Sequence, residues 1–274
     1  MNPKELTVVE HMEELRSRLV VTALFFVLAL VGSFFLTEPI IKYIQYSDEA
    51  AQFTLNAFAP TDTLAVFLKV MFSLALVFTV PLLLYQLWSF ITPGLLESER
   101  KATLKYIPYA FFLFLLGIAF SYLVLFPYVM SFMTSLSTDL DIEQTIGINE
   151  YFSFLFKLVL PFGFVFQLPV VTLFLARIGV LNPDWMVKFR KYSYFFLFVL
   201  AAFLAPPDII SNLIVAVPLF ILYEVSIVIS RSGYRKYVEA EQQRIREEQE
   251  REQQLQVEEL LAEQKRKMEE MQKN

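Results

Sequence analysis

The sequence predicts an all-α polytopic membrane protein: six transmembrane helices, N-in and C-in, forming a curved, kinked bundle with a short fifth/sixth helix hairpin. Three observations predict it. Hydrophobic residues make up 56% of the 274 residues, with 29 Phe and a mean hydropathy of +0.52, outside the range of water-soluble domains. The apolar residues gather into six runs close to the ~20 residues that a helix needs to cross a ~30 Å hydrocarbon core. Lys and Arg fall almost wholly on one side of those runs.

Backbone in lipid must satisfy its own hydrogen bonds, so each run is read as a helix. The runs are residues 19–36, 64–88, 105–126, 153–176, 190–205 and 212–230. Before the first, Val8, Met12, Leu15 and Leu19 recur at helical spacing, which places residues 1–18 on the cytosolic interface as an amphipathic segment. The first run lacks a small-x-small cleavage site and is read as a retained span. Pro81 in the second run, Pro161 and Pro169 in the fourth and Pro218 in the sixth each remove a backbone donor and are expected to bend their helices. With only seven glycines and no GxxxG face, a curved wall is expected rather than a tightly crossed bundle. The fifth run is about 24 Å long as a helix. It implies a thinned membrane or an outer recess, and Ala205-Pro206-Pro207-Asp208 turns it into the sixth.

The six-helix domain thus covers residues 19–230, and residues 231–274 form a charged cytosolic tail. In the tail Leu255, Leu260, Leu261, Met268 and Met271 make only a broken heptad, which favours a solvated helix or disorder over a coiled coil.

Orientation follows from the cations. Lys4, Arg16 and Arg18, then Arg100, Lys101 and Lys105, then Arg177, Lys188, Arg190 and Lys191, and the cluster from Arg231 onward all lie on one side; Lys42 alone lies on the other. The outer loop expected over Pro127–Phe152 carries Asp139, Asp141, Glu143 and Glu150 with no Lys or Arg. By the positive-inside rule both termini are cytosolic. Lys69 and Lys157 fall inside runs, under ~10 Å deep, where snorkelling to the outer surface is favoured over a shared outer cavity.

Several chemistries are excluded. There is no cysteine, hence no thiolate nucleophile, disulfide or zinc-thiolate site. The single histidine, His11, precedes the first run, which removes an imidazole-dependent triad within the membrane. No Walker-type loop is present. Neither a cofactor, a metal nor a nucleic-acid partner is expected.

The most informative stretch follows the second run, Phe90-Ile91-Thr92-Pro93-Gly94-Leu95-Leu96-Glu97-Ser98-Glu99-Arg100-Lys101. Pro93-Gly94 forces a turn, and Leu95 and Leu96 tether it to the surface. Glu97 and Glu99 either receive a cationic ligand, a guanidinium being held in a bidentate way, or pair with Arg100 and Lys101. Glu10, Glu13 and Glu14 form a second acidic cluster on the same side. Two acidic patches on one face suit a ligand with two adjacent positive charges.

Three strings in order resemble the TatC family: His11-Met12-Glu13-Glu14-Leu15-Arg16-Ser17-Arg18-Leu19; Tyr85-Gln86-Leu87-Trp88-Ser89-Phe90 through Pro93 to Glu99-Arg100; and Ala205-Pro206-Pro207-Asp208 through Pro218 to Tyr223-Glu224. The resemblance covers about residues 5–231 and leaves out the tail. It implies a receptor for signal peptides with two consecutive arginines, the core of a twin-arginine translocase exporting folded proteins across the bacterial cytoplasmic membrane. It further implies a single-span TatA-type partner, homo- or hetero-oligomers within membrane lipid, and use of the proton-motive force. By the same likeness Glu14 and Glu99 receive the arginines, and Phe90, Pro93, Arg100 and Arg16 belong to the recognition surface. A planar fork selects Arg over Lys. Each exposed pair contributes only ~1 kcal/mol, so apolar contact with the signal's hydrophobic stretch is also needed; Trp88 and Phe90 are the candidates.

The family commonly carries a glutamate in the fourth span where this chain has Gln167, before Leu168-Pro169. Near the midplane, its amide either contacts a polar residue on a partner's transmembrane helix or bonds within the bundle. Asp208 and Glu224 match the pattern. Asp208 is expected to cap the helix starting near Ile209, and Glu224 to be hydrated or paired with Arg231 or Arg235.

The alternative is a secondary transporter of a small solute or ion, since polar residues within spans often mark a substrate path. The lack of a visible repeat and of a midplane acid or arginine cluster weighs against it. An intramembrane enzyme has no catalytic constellation here.

Overall fold

The computed structural model describes residues 8–47, 50, 53–91, 106–204 and 209–273. Helix α1 (Val8–Gln45) runs unbroken from the amphipathic segment into the first span. No boundary appears near residue 18, because residues 8–31 contain neither Pro nor Gly and nothing stops the helix. After α1, strand β1 (Leu55–Asn56) pairs in parallel with β2 (Ile146–Gly147), Leu55 opposite Ile146 and Asn56 opposite Gly147. The buried Asp62 carboxylate accepts the Phe58 and Ala59 amides at 2.9 and 2.8 Å and starts α2 (Asp62–Ile91). Helices α1 and α2 pack side by side, with Phe26 on Phe72 and Phe34 on Phe67 edge to face at 5.1 and 5.4 Å.

Helix α3 (Tyr106–Phe120) passes through a π-helical turn, Ser121–Leu125, into α4 (Phe126–Asp139). Phe126 donates its amide to the Ser121 carbonyl five residues back. That wider register lets Pro127, which has no donor, sit in the first turn of α4 without ending the rod. The outer loop expected from Pro127 therefore starts only after Asp139, and it ends at Ile148 rather than Phe152.

The fourth span is α5 (Ile148–Val165) followed by α6 (Leu168–Arg177), split at Phe166 and Gln167 directly before Pro169. The helices continue through Pro81, Pro161 and Pro218. Then come α7 (Pro183–Lys188), α8 (Arg190–Leu204) and α9 (Ile209–Lys273). Among the described residues five segments are long and apolar enough to cross a membrane: Met12–Gln45, Asp62–Ser89, Ile107–Asp139, Ile148–Arg177 and Ile209–Ala262. Helix α8 is not among them. Its 15 residues rise only about 22 Å, so the expected six runs resolve into five full-length segments and a short one.

Helix α9 carries the sixth run straight into the charged tail, whose side chains are exposed from Glu241 to Ala262. Contact with the bundle persists beyond residue 231. Gly233 lies so close to α6 that a Cβ there would be 2.8 Å from the Leu173 carbonyl, and the Tyr237 ring covers Gly179, whose φ of +76° suits glycine. Arg177, placed among the loop cations from sequence, is 4% exposed at this contact. Tyr223 donates to the Met186 carbonyl at 2.8 Å and ties α9 to α7.

Helix α5 is the centre of the packing. Its Tyr151, Phe152, Leu155, Leu158 and Phe162 are buried, against α2 and α3. Lys69, expected to snorkel, instead donates from α2 to the Asn149 and Ser153 side chains of α5; Lys157 is exposed. Where α3 and α5 cross, a Cβ on Gly163 would meet the Phe114 ring at 2.8 Å, and one on Gly117 the Phe162 carbonyl at 2.7 Å. One glycine per helix thus gives the close approach that a GxxxG motif gives elsewhere. Helix α1, by contrast, exposes Leu24, Leu28, Val31 and Phe35, a face suited to lipid.

Gly32 on α1 has nothing within 4 Å of an added Cβ, which supplies an internal control. Gly163→Ala is expected to destabilise by ~1–3 kcal/mol through overpacking. Gly32→Ala should leave stability unchanged or raise it by up to ~1 kcal/mol, as Ala favours helix. Thermal unfolding midpoints in one detergent check both.

Candidate functional site

Helical spacing places Glu14 one turn before Arg18 on α1, and the packing of α1 on α2 brings Gln86 alongside. The Arg18 guanidinium donates Nε to Glu14 Oε1 at 3.1 Å and a terminal nitrogen to the same oxygen. Its other terminal nitrogen donates to Gln86 Oε1 at 3.2 Å. The Glu14 and Arg18 side chains are 25% and 20% exposed, so this carboxylate and its guanidinium are half-desolvated at the junction of two helices.

An apolar groove leaves this pair along α1 and α2. A small recess of about 60 Å³ between Leu15, Leu19, Leu83 and Leu87 lies beside Arg18 and Gln86. It is continued by a larger one of about 320 Å³, walled by Ala23, Phe26, Leu76, Val80 and Phe164. The arrangement offers an acidic group at the foot of a slot suited to hydrocarbon.

Other residues singled out from sequence fall in different places. Glu13 and Arg16 are exposed near Glu14 on α1. Trp88 turns inward: it is 5% exposed and stands edge to face on Phe174 of α6 at 4.8 Å. Its ring therefore supports the α2–α6 contact and is not a surface for apolar ligands, because the helix turn that carries it faces the bundle. Phe90 lies in the last turn of α2, its side chain outside the described residues. Pro93, Glu97, Glu99, Arg100 and Asp208 also lie outside the described residues.

Gln167 sits in the turn between α5 and α6, 7% exposed. Its Nε2 donates to the Ala110 carbonyl of α3 at 3.0 Å, while Oε1 has no partner among the described residues. The bundle satisfies half of this amide. Glu224 pairs with neither Arg231 nor Arg235: Arg190 at the start of α8 reaches its Oε2 at 2.9 Å, and the Tyr194 hydroxyl donates to Oε1. The short α8, folded back on α9, supplies these partners ahead of the tail. Sequence reasoning missed Arg18, Gln86, Arg190 and Tyr194 as partners. The four-residue step from Glu14 signals Arg18, and Gln86 stands in a quoted motif, but Arg190 and Tyr194 are distant in the chain and had no local signal.

The comparisons with known proteins agree with this architecture. The family model for TatC, "Sec-independent protein translocase protein (TatC)", matches residues 10–218. The chain is 52% identical over 236 residues to Sec-independent protein translocase protein TatCy of Bacillus subtilis (strain 168), covering 86% of this chain and 93% of that one. It is 47% identical over 244 residues to the TatC protein of Halalkalibacterium halodurans, covering 89% and 96%. A crystal structure described as the twin arginine translocase receptor TatC superposes with a TM-score of 0.70 at 30% identity, covering 82% of this chain and 99% of that one. These relatives are translocase proteins, which indicates a transport role within a Tat complex and gives the solute-transporter alternative no support. With its several membrane-length apolar helices it is a multi-pass membrane protein, and the chain belongs to the TatC family of Sec-independent protein translocases.

Proposed function

We propose that this chain is the signal-peptide receptor of a twin-arginine translocase in the bacterial cytoplasmic membrane, with both termini cytosolic and α8 serving as the short fifth of six spans. The asymmetry of Lys and Arg supports the orientation. The observation that carries the reading is that Glu14 already holds a guanidinium, that of Arg18, at the foot of an apolar groove. A signal peptide presents both chemistries in order: arginines, then an apolar stretch.

Binding is then an exchange. A cargo arginine takes the Glu14 oxygen from Arg18, and the second is received by Glu99, with Phe90, Pro93, Arg100 and Arg16 completing the surface. The hydrophobic stretch lies along α1 and α2 towards Phe164. Because Arg18 must be displaced, the net gain at Glu14 is small, and the groove supplies most of the affinity. The Gln167 oxygen, without a partner among the described residues, is the point offered to a polar side chain of a single-span TatA-type subunit.

Titration of the full chain in detergent with a twin-arginine signal peptide and its twin-lysine counterpart tests the reading. The wild type is expected to prefer arginine, and Glu14→Gln and Glu99→Gln each to weaken that peptide about fivefold, the worth of one exposed pair. Equal binding of the two peptides to the wild type would end the receptor reading. Arg18→Gln is expected to tighten the twin-arginine peptide about fivefold by vacating Glu14. Weaker binding in that variant would mean that Arg18 shapes the site instead of competing for it.

A further inference from the structure

Away from the Glu14 groove, at the end of the bundle that carries β1 and β2, Lys69 and Lys157 stand inside membrane-length helices, while Lys42 of α1 is paired with Glu38. Lys69 follows Asp62 by about 10 Å along α2, and Lys157 follows Ile148 by about 13 Å along α5. Lys69 donates to the Ser153 hydroxyl, and Lys157 follows Ser153 by one turn on the same face of α5. Among the described residues neither lysine has a carboxylate in ion-pair range. The acids nearest in sequence are turned elsewhere: Glu150 lies back against Gly147, and Asp62 accepts the Phe58 and Ala59 amides. Lys69 has only neutral oxygens, those of Asn149 and Ser153.

Beside this cationic pair is the cavity between α1, α2, α3 and α5, about 390 Å³ in volume. Val70, Ser73 and Val77 of α2 and Phe156 and Leu160 of α5 line two of its walls. Its one polar side chain besides the tyrosines, Ser73, spends its hydroxyl on the Lys69 carbonyl at 2.8 Å, leaving the cavity surface apolar. Two cations at membrane depth with no carboxylate in range among the described residues call for an anion, and the adjoining cavity calls for hydrocarbon. One class of molecule in a bilayer joins the two.

We propose that this is a site for an anionic phospholipid of that leaflet, its phosphate held by Lys69 and Lys157 and one acyl chain lodged between α2 and α5. The lipid supplies the missing charge, which an ion from water cannot do while also filling the cavity. It bridges α2 and α5, the contact at the centre of the packing.

Native mass spectrometry of the full-length protein with phosphatidylglycerol or phosphatidylcholine of identical chains tests the proposal. The wild type is expected to retain phosphatidylglycerol preferentially. Lys157→Gln, an exposed change that leaves the core intact, should cut that preference about fivefold, and Lys69→Gln by a similar factor. Val77→Trp, filling the cavity, should reduce retention with both cations in place. An unchanged preference in Lys157→Gln overturns the proposal. So does a photoreactive Phe156→benzoylphenylalanine chain that crosslinks in membranes to a protein helix and not to phospholipid, since the anion would then be a partner's carboxylate.

Discussion

Within a bilayer, burying an apolar side chain against another helix gains little over leaving it in lipid, so the bundle depends on contact that lipid cannot supply. Here that contact is the crossing of α3 and α5, where Gly117 and Gly163 let backbone and phenylalanine rings meet at van der Waals distance. Around it lie the fully buried rings of Phe114, Phe152 and Phe162, whose dispersion energy accumulates only if the gap closes. Helix α5, held there, in turn fixes α2 through Lys69, and α2 carries α1. The Glu14 site, built on α1 and α2, inherits its geometry from a contact made between two other helices.

The same dependence explains the split of the fourth span. Pro169 cannot donate, and the chain answers with tight turns in which Gln167 and Val170 take the Phe164 and Gln167 carbonyls at 2.9 and 3.0 Å. The turn is closed, and the Gln167 side chain is left facing α3 with one oxygen unpartnered among the described residues. At Pro127 the answer is different: a π turn absorbs the missing donor and the rod continues. Two prolines in similar apolar surroundings thus give a break and a continuation, depending on whether the preceding turn widens or tightens.

The helical class and the apolar runs were legible in the sequence because length and hydropathy in lipid leave few alternatives. The Pro127 boundary was not, since a π turn has no composition signature. The joining of residues 8–18 to the first span was legible only in hindsight, from the absence of Pro and Gly. In the site, Glu14 was found by motif, but its engagement by Arg18 and Gln86 depends on how α1 packs on α2. The inward turn of Trp88 was not legible, because its position near the end of a span says nothing about which way the ring turns. Arg190 and Tyr194 meet Glu224 only through the return of α8 on α9, a tertiary fact.

Helix α9 runs on from the packed region without a joint. From Arg231 to Lys273 its rise amounts to about 60 Å. It leaves the bundle at the end where α6 finishes, seated by Gly233 and by Tyr237 over Gly179. A stiff boom of that length, studded with both signs of charge, sweeps little volume but blocks a whole sector.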